Sequence, residues 1–163
     1  MSLTRILAAT AAIGVLTASA GAGTMFRLEI GPPVAAGTAT KILKEGKAKT
    51  VLAVRALVCD DLSRVRVTGT AEGIRNGVRQ SLPLDLVEVN KAEAIYAVQY
   101  QWPNDGSWVL HLKGVCSNPQ AEASTLVPLN KGAFIREKTE VLREPATKKQ
   151  VEDAVAALAR SQS

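Results

Sequence analysis

Few side chains in this chain can do chemistry. The sequence carries one histidine, His111, two cysteines, Cys59 and Cys116, and two methionines. A zinc or copper site needs several convergent ligands of these types. His111 falls on the outward side of an alternating stretch, and the cysteines are ligands only if unpaired. Asp60-Asp61 and Asp105 would form a calcium site only if their two loops met. Ser-His-Asp catalysis needs His111 in a pocket beside a Ser and an Asp, and no G-x-S-x-G occurs. No P-loop or dinucleotide fingerprint is present either. The expectation is no catalytic residue, no cofactor, no metal and no enzymatic activity.

The basic residues are the other chemical resource. Lys41, Lys44, Lys47 and Lys49 make the most basic stretch. Arg64 and Arg66 project outward from an alternating strand, and Arg75 and Arg79 flank a turn. Lys41, Lys44, Lys47, Lys49, Arg64 and Arg66 are read as a possible interaction surface for a protein or an anionic envelope component. The formal net charge of +5 is a mild excess. Without a nucleic-acid motif it does not point to DNA or RNA.

The start of the chain carries an address. Arg5 supplies a positive n-region, Ile6 to Leu16 an apolar core, and Ala18-Ser19-Ala20 or Ala20-Gly21-Ala22 a small-residue cleavage site. Residues 1–22 read as a cleaved secretory signal. No later stretch is long and apolar enough for a membrane span. In an oxidising compartment the even cysteine count implies a Cys59–Cys116 disulfide. Closing so long a loop is worth about 4 kcal/mol in the chain-entropy account.

The elements that must hold these residues are strands. Residues 23–48 read as a short strand, from Met25 to Ile30, and a linker. Residues 49–135 read as the sandwich domain. Thr50 to Cys59 is apolar enough for a strand buried on both faces. Ser63 to Ala71 alternates cleanly and leads to Asn76-Gly77, a two-residue hairpin signal. That turn places Ala71 opposite Leu82, Gly69 opposite Leu84 and Val67 opposite Leu86. Pro83 suggests an edge strand or a bulge. Residues 94–116 read as a second hairpin about Pro103-Asn104-Asp105-Gly106-Ser107. Its expected pairs are Trp102 with Trp108, Tyr100 with Leu110 and Val98 with Leu112. Residues 136–163 read as an extension with a short helix. A capping box at Thr147-Lys148-Lys149-Gln150 starts that helix, and Val151, Ala154, Val155 and Leu158 form its apolar stripe. The fold class expected is all-β, an antiparallel immunoglobulin-like β-sandwich with a short C-terminal helix.

From about Lys49 to Cys116 the sequence resembles the small immunoglobulin-like domains of exported bacterial proteins, the YtkA-like kind. The matching residues are Tyr96, Val98 and Trp102, the Asp105-Gly106 turn, and Trp108, Leu110 and Leu112. The resemblance implies a periplasmic or extracellular accessory domain. Copper handling is not carried over, because the His and Met clusters it uses are missing. The expected function is an exported, non-enzymatic binding module. The alternative is a metal-handling or redox accessory protein using His111 and the cysteines. N-terminal sequencing of the exported protein is expected to find Gly21 or Gly23 first, and a start at Met1 or Ser2 would refute the signal.

Overall fold

The computed structural model describes residues 25–33 and 49–162. The expected signal and the residues Lys41, Lys44 and Lys47 lie outside this range. Among the described residues ten strands run in chain order: β1 (Arg27–Gly31), β2 (Thr50–Leu57), β3 (Arg66–Arg75), β4 (Val78–Leu84), β5 (Leu86–Asn90), β6 (Ile95–Gln99), β7 (Ser107–Ser117), β8 (Gln120–Asn130), β9 (Ala133–Phe134) and β10 (Glu140–Leu142). An α-helix, α1 (Lys148–Gln162), follows. Sheet I has the order β1-β2-β6-β5, and sheet II the order β10-β8-β7-β3-β4 with β9 paired to β8. All the pairings are antiparallel. The result is the expected all-β sandwich with a C-terminal helix.

The core lies between the sheets. Leu28, Leu52, Val54 and Val98 of sheet I meet Leu110, Leu112 and Val127 of sheet II, all fully buried. β2 is buried on both faces: Val51 and Ala53 on one side, Leu52, Val54 and Ala56 on the other. Val58 turns the chain out of β2 with φ 65°. Cys59 then bonds Cys116 at an S–S distance of 2.05 Å and ties sheet I to sheet II.

The Asn76-Gly77 hairpin forms as expected, with both turn residues at positive φ. Ala71 pairs with Leu82 and Gly69 with Leu84. A Cβ on Gly69 would lie 2.8 Å from Leu112 Cδ2 and 3.3 Å from Leu84 Cδ1, so this position has no room for one. Pro83 sits on β4, an edge strand, where its missing N–H costs no ladder bond. The register then departs from expectation. Val67 pairs with Gly114, and Leu86 pairs with Val98 in the other sheet. The chain changes sheets at Asp85. Gln101 holds that crossing, accepting from Asp85 N–H at 2.9 Å and donating to Asp85 O at 2.8 Å.

The 94–116 hairpin is corrected by the structure. β6 pairs with β2 and β5, whereas β7 pairs with β3 and β8. Residues 100–106 are an arch between sheets, and Trp102 and Trp108 are not a cross-strand pair. The physical reason is that alternation reports which face is buried, not which strand lies alongside. Tyr96, Val98, Trp102, Trp108, Leu110 and Leu112 do share one core, but the arms meet across it.

The outward face of sheet II is also covered. α1 lays Val151, Val155 and Leu158 on Val109 and Leu126. Its capping box is present: Gln150 N–H donates to Thr147 Oγ1 at 3.2 Å and Thr147 N–H to Gln150 Oε1 at 2.8 Å. A thin stripe of this kind needs a docking face to hold it helical. Leu158→Ala is expected to cost about 2–4 kcal/mol in urea unfolding, as for a buried leucine. A midpoint unchanged by that substitution would contradict the docked helix.

Candidate functional site

The concave surface lies along one seam of the sandwich, where β1 edges sheet I and β10 edges sheet II. At its upper end a cleft of about 640 Å³ is lined by Lys49, Thr50, Tyr100, Asn104 and Lys131, among others. The arch places the aromatic wall. Tyr100 N–H donates to Lys49 O at 2.8 Å, and the Tyr100 hydroxyl donates to Asn104 Oδ1 at 2.6 Å. Its ring stands 4.8 Å from that of the buried Trp102. Burial, and then the charge of Asp105, pushes the Tyr100 hydroxyl up, so it remains a neutral donor.

A second cleft of about 440 Å³ continues the seam, with Arg27, Glu29, Ile30, Phe134, Arg136, Val141 and Arg143 in its wall. Consecutive residues of β9 line the two, Ala133 the first and Phe134 the second. Together they carry Lys49, Lys131, Arg27, Arg136 and Arg143 against Glu29. Arg55, Arg64, Arg75 and Arg79 each pair with a carboxylate elsewhere. Among the described residues, none of the five basic groups of the seam does so. Unpaired guanidinium and ammonium groups on a concave wall attract carboxylate or phosphate.

The sequence-predicted residues separate. Lys49 reaches the seam. Arg64 is exposed and paired with Asp61 at 3.2 Å. Arg66 opens β3 opposite Val115, at the disulfide end of the sandwich. Lys49 lies at the other end, beside the arch, so these residues do not share one patch. Arg27, Lys131, Arg136 and Arg143 had no signal in sequence, being single basic residues far apart in the chain. Pairing at one seam is what gathers them.

The candidates for catalysis and metal binding are also placed. Cys116 faces the core and is fully buried, while His111 lies on the opposite face of β7, about 16 Å along the strand. Side chains on opposite faces of a sheet cannot share a ligand site. Asp61 caps a short 3-10 turn at the start of β3, and Asp105 binds Arg75 at its end, at 2.8 Å. Their loops therefore do not meet. Among the described residues, no three His, Cys, Asp or Glu side chains converge.

His111 lines a third cleft, of about 410 Å³, beside α1. Its Nε2 is 3.4 Å from Ser124 Oγ, and Ser124 is fully buried and accepts from Ala146 N–H at 3.0 Å. This serine holds the segment that enters the helix. Arg79 clamps the helix, binding Glu72 at 2.8 Å and Glu152 at 3.0 Å. Ser81 Oγ also donates to Glu72 at 2.8 Å. Burial opposes ionisation of Glu72, but hydrogen bonds from Thr70, Ser81 and Arg79 outweigh it and hold the carboxyl below its usual range. Burial, then Lys113, lowers the His111 pKa against the pull of Glu72.

No family model, curated protein or solved structure matches this chain.

Both depressed pKa values have one sign. Each group binds its proton more readily in the unfolded chain, so each contributes stability above its unfolded pKa that is lost as pH falls through the folded value. Stability should decline first below about pH 6.5 for His111 and again below about pH 4.3 for Glu72. Glu72→Gln should cost about 1–3 kcal/mol at neutral pH, because Arg79 loses a charged partner. It should also flatten the acid limb. Urea unfolding across pH checks both, and equal acid limbs in the two proteins would disprove the role given to Glu72.

Proposed function

We propose that the chain is an exported, non-enzymatic interaction module whose partner is anionic and docks along the basic seam. The observation that carries this reading is the seam itself. Five basic side chains line two clefts, and no carboxylate pairs with them among the described residues. A rigid two-sheet scaffold with a cross-sheet disulfide suits presentation of such a surface.

Export is supported by the Arg5, Ile6–Leu16 and Ala18-Ser19-Ala20 pattern and by the disulfide, which persists in oxidising compartments. Among the described residues no helix is long and apolar enough to cross a membrane. The immunoglobulin-like assignment belongs to the same proposal. Its support is the strand order: β1-β2-β6-β5 faces β10-β8-β7-β3-β4, the order of strands A-B-E-D against G-F-C with β4 and β10 added at the two edges. The cysteines follow β2 and lie on β7, near the second and sixth positions of that scheme. β3 lacks the core tryptophan of antibody domains. The resemblance to YtkA-like exported domains remains part of the proposal on the residues from Tyr96 to Leu112.

Immobilised polyglutamate tests the anionic preference. Binding should fall as ionic strength rises from about 0.01 to about 0.15 M, over which the Debye length shrinks from about 30 to about 8 Å. Lys49→Glu with Lys131→Glu should weaken it about tenfold. Equal retention on a neutral polymer, or no loss in the double variant, would count against the reading.

A further inference from the structure

The helix α1 docks over the one histidine of the chain. It lies on β7, with β3 and β8 at its sides. Val109 and His111 are successive outward residues of β7. Val109 is sealed under Val151, Val155 and Leu158, whereas His111 lines the cleft beside the first turns of the helix.

Two couplings join His111 to this docking. The first is a hydrogen-bond chain. Ala146 N–H, just before the helix, donates to Ser124 Oγ at 3.0 Å, and Ser124 Oγ lies 3.4 Å from His111 Nε2. Ser124 is fully buried, so its hydroxyl proton needs an acceptor inside the protein. Neutral His111 supplies one at Nε2 when its own proton sits on Nδ1. Charged His111 carries a proton on both ring nitrogens, and the serine proton loses that acceptor.

The second coupling is electrostatic. Around His111 stand Glu72 of β3, Arg79 of β4, Lys113 of β7, and Lys148 and Glu152 of α1, while β8 places Ser124 and Leu126 beside it. Glu72 and Glu152 are both already bound to Arg79. A charged imidazole would add a fourth cation to these two carboxylates, near the positive pole of the helix dipole. Burial first, then Lys113, outweigh the pull of Glu72, so the docked protein resists the charge. Departure of the helix unburies the ring and takes Lys148 away from it. By linkage, acid then favours the undocked state.

We propose that His111 makes the docking of α1 sensitive to acid: neutral, it holds the segment entering the helix through Ser124, and protonated, it lets α1 lift from sheet II while the disulfide-bonded sandwich stays folded. Lifting bares Val109 and Leu126, an apolar strip that α1 otherwise covers. A 15-residue helix with so thin an apolar stripe is marginal by itself, so the lifted segment loses helix as well. This device is separate from the basic seam and does not depend on an anionic partner.

Native-state amide exchange followed by NMR at about pH 7.5 and about pH 5, each corrected for the intrinsic rate, reads helix and sandwich separately. The lower pH stays above the range in which Glu72 takes up a proton, so the Arg79 clamp is intact. The opening constant of α1 amides, such as that of Val155, should rise at least about fivefold on acidification, the low end of an ordinary coupling between sites. That of Leu110, in the middle of sheet II, should change less than about twofold. His111→Gln keeps an acceptor for Ser124 but takes no charge, and it should remove the acid response of α1. In the unsubstituted protein the His111 ring signals should titrate below the ordinary value of about 6.5, a check that needs no variant. Unchanged opening of α1 in acid, opening of α1 and Leu110 together, an acid response that persists in His111→Gln, or a ring titration at or above the ordinary value would each overturn the proposal.

Discussion

An inward-facing apolar row must meet another such row across the sandwich, and the two sheets do not have the same width. Most features of the molecule follow from how the chain meets that demand. Leu52, Val54 and Val98 find Leu110, Leu112 and Val127 across the core. The sheet change at Asp85 and the arch at 100–106 carry the chain from one row to the other, and Gln101 links the two. Trp102 and Trp108 close the end of the core below the arch, with Trp108 Nε1–H donating to Asp105 O at 2.8 Å. At the opposite end the Cys59–Cys116 bond fixes the sheets together. On β10, at the margin of sheet II, Val141 stays 46 % exposed.

Sheet II meets the same demand on its other face by different means. Its outward row, Val109 and Leu126, is covered by α1. The helix is held at both an apolar and a polar contact. Arg79 joins a buried carboxylate of β3 to one on the helix, and Gln162 Nε2 donates to Leu129 O at 2.9 Å near the far end. His111 and Ser124 belong to this packing, beside the cleft that the helix walls. Arg75 has a comparable structural role, binding Asp105 of the arch through both carboxylate oxygens at 2.8 Å. Among the described residues, no carboxylate pairs with the arginines of the seam.

Local chemistry was legible in the sequence, and partnership between distant strands was not. Asn76-Gly77 and the alternation around it give the β3–β4 register correctly as far as Gly69 and Leu84. Thr147 and Gln150 mark the helix start, and the cysteine count marks the disulfide. The expectation for 94–116 failed because two strands facing one core show the same alternation whether they lie side by side or across from each other. Leu84 and Leu86 illustrate the limit at two residues' distance: both belong to a clean alternating run, yet they lie in different sheets. The outward position of His111 was read correctly, but periodicity does not say that a helix will cover that face. The seam was illegible for the same reason. Arg27 and Arg143 stand at opposite ends of the described chain and become neighbours only through the edges of two sheets.

The central claim is that Val98 and Leu112, which alternate in one run of sequence, meet across the core and not side by side. Backbone nuclear Overhauser contacts measured by NMR test this most directly. Cross-strand Hα contacts should link β6 to β2 and β5, and β7 to β3 and β8. Hα contacts between residues 95–99 and residues 108–112 would contradict the account.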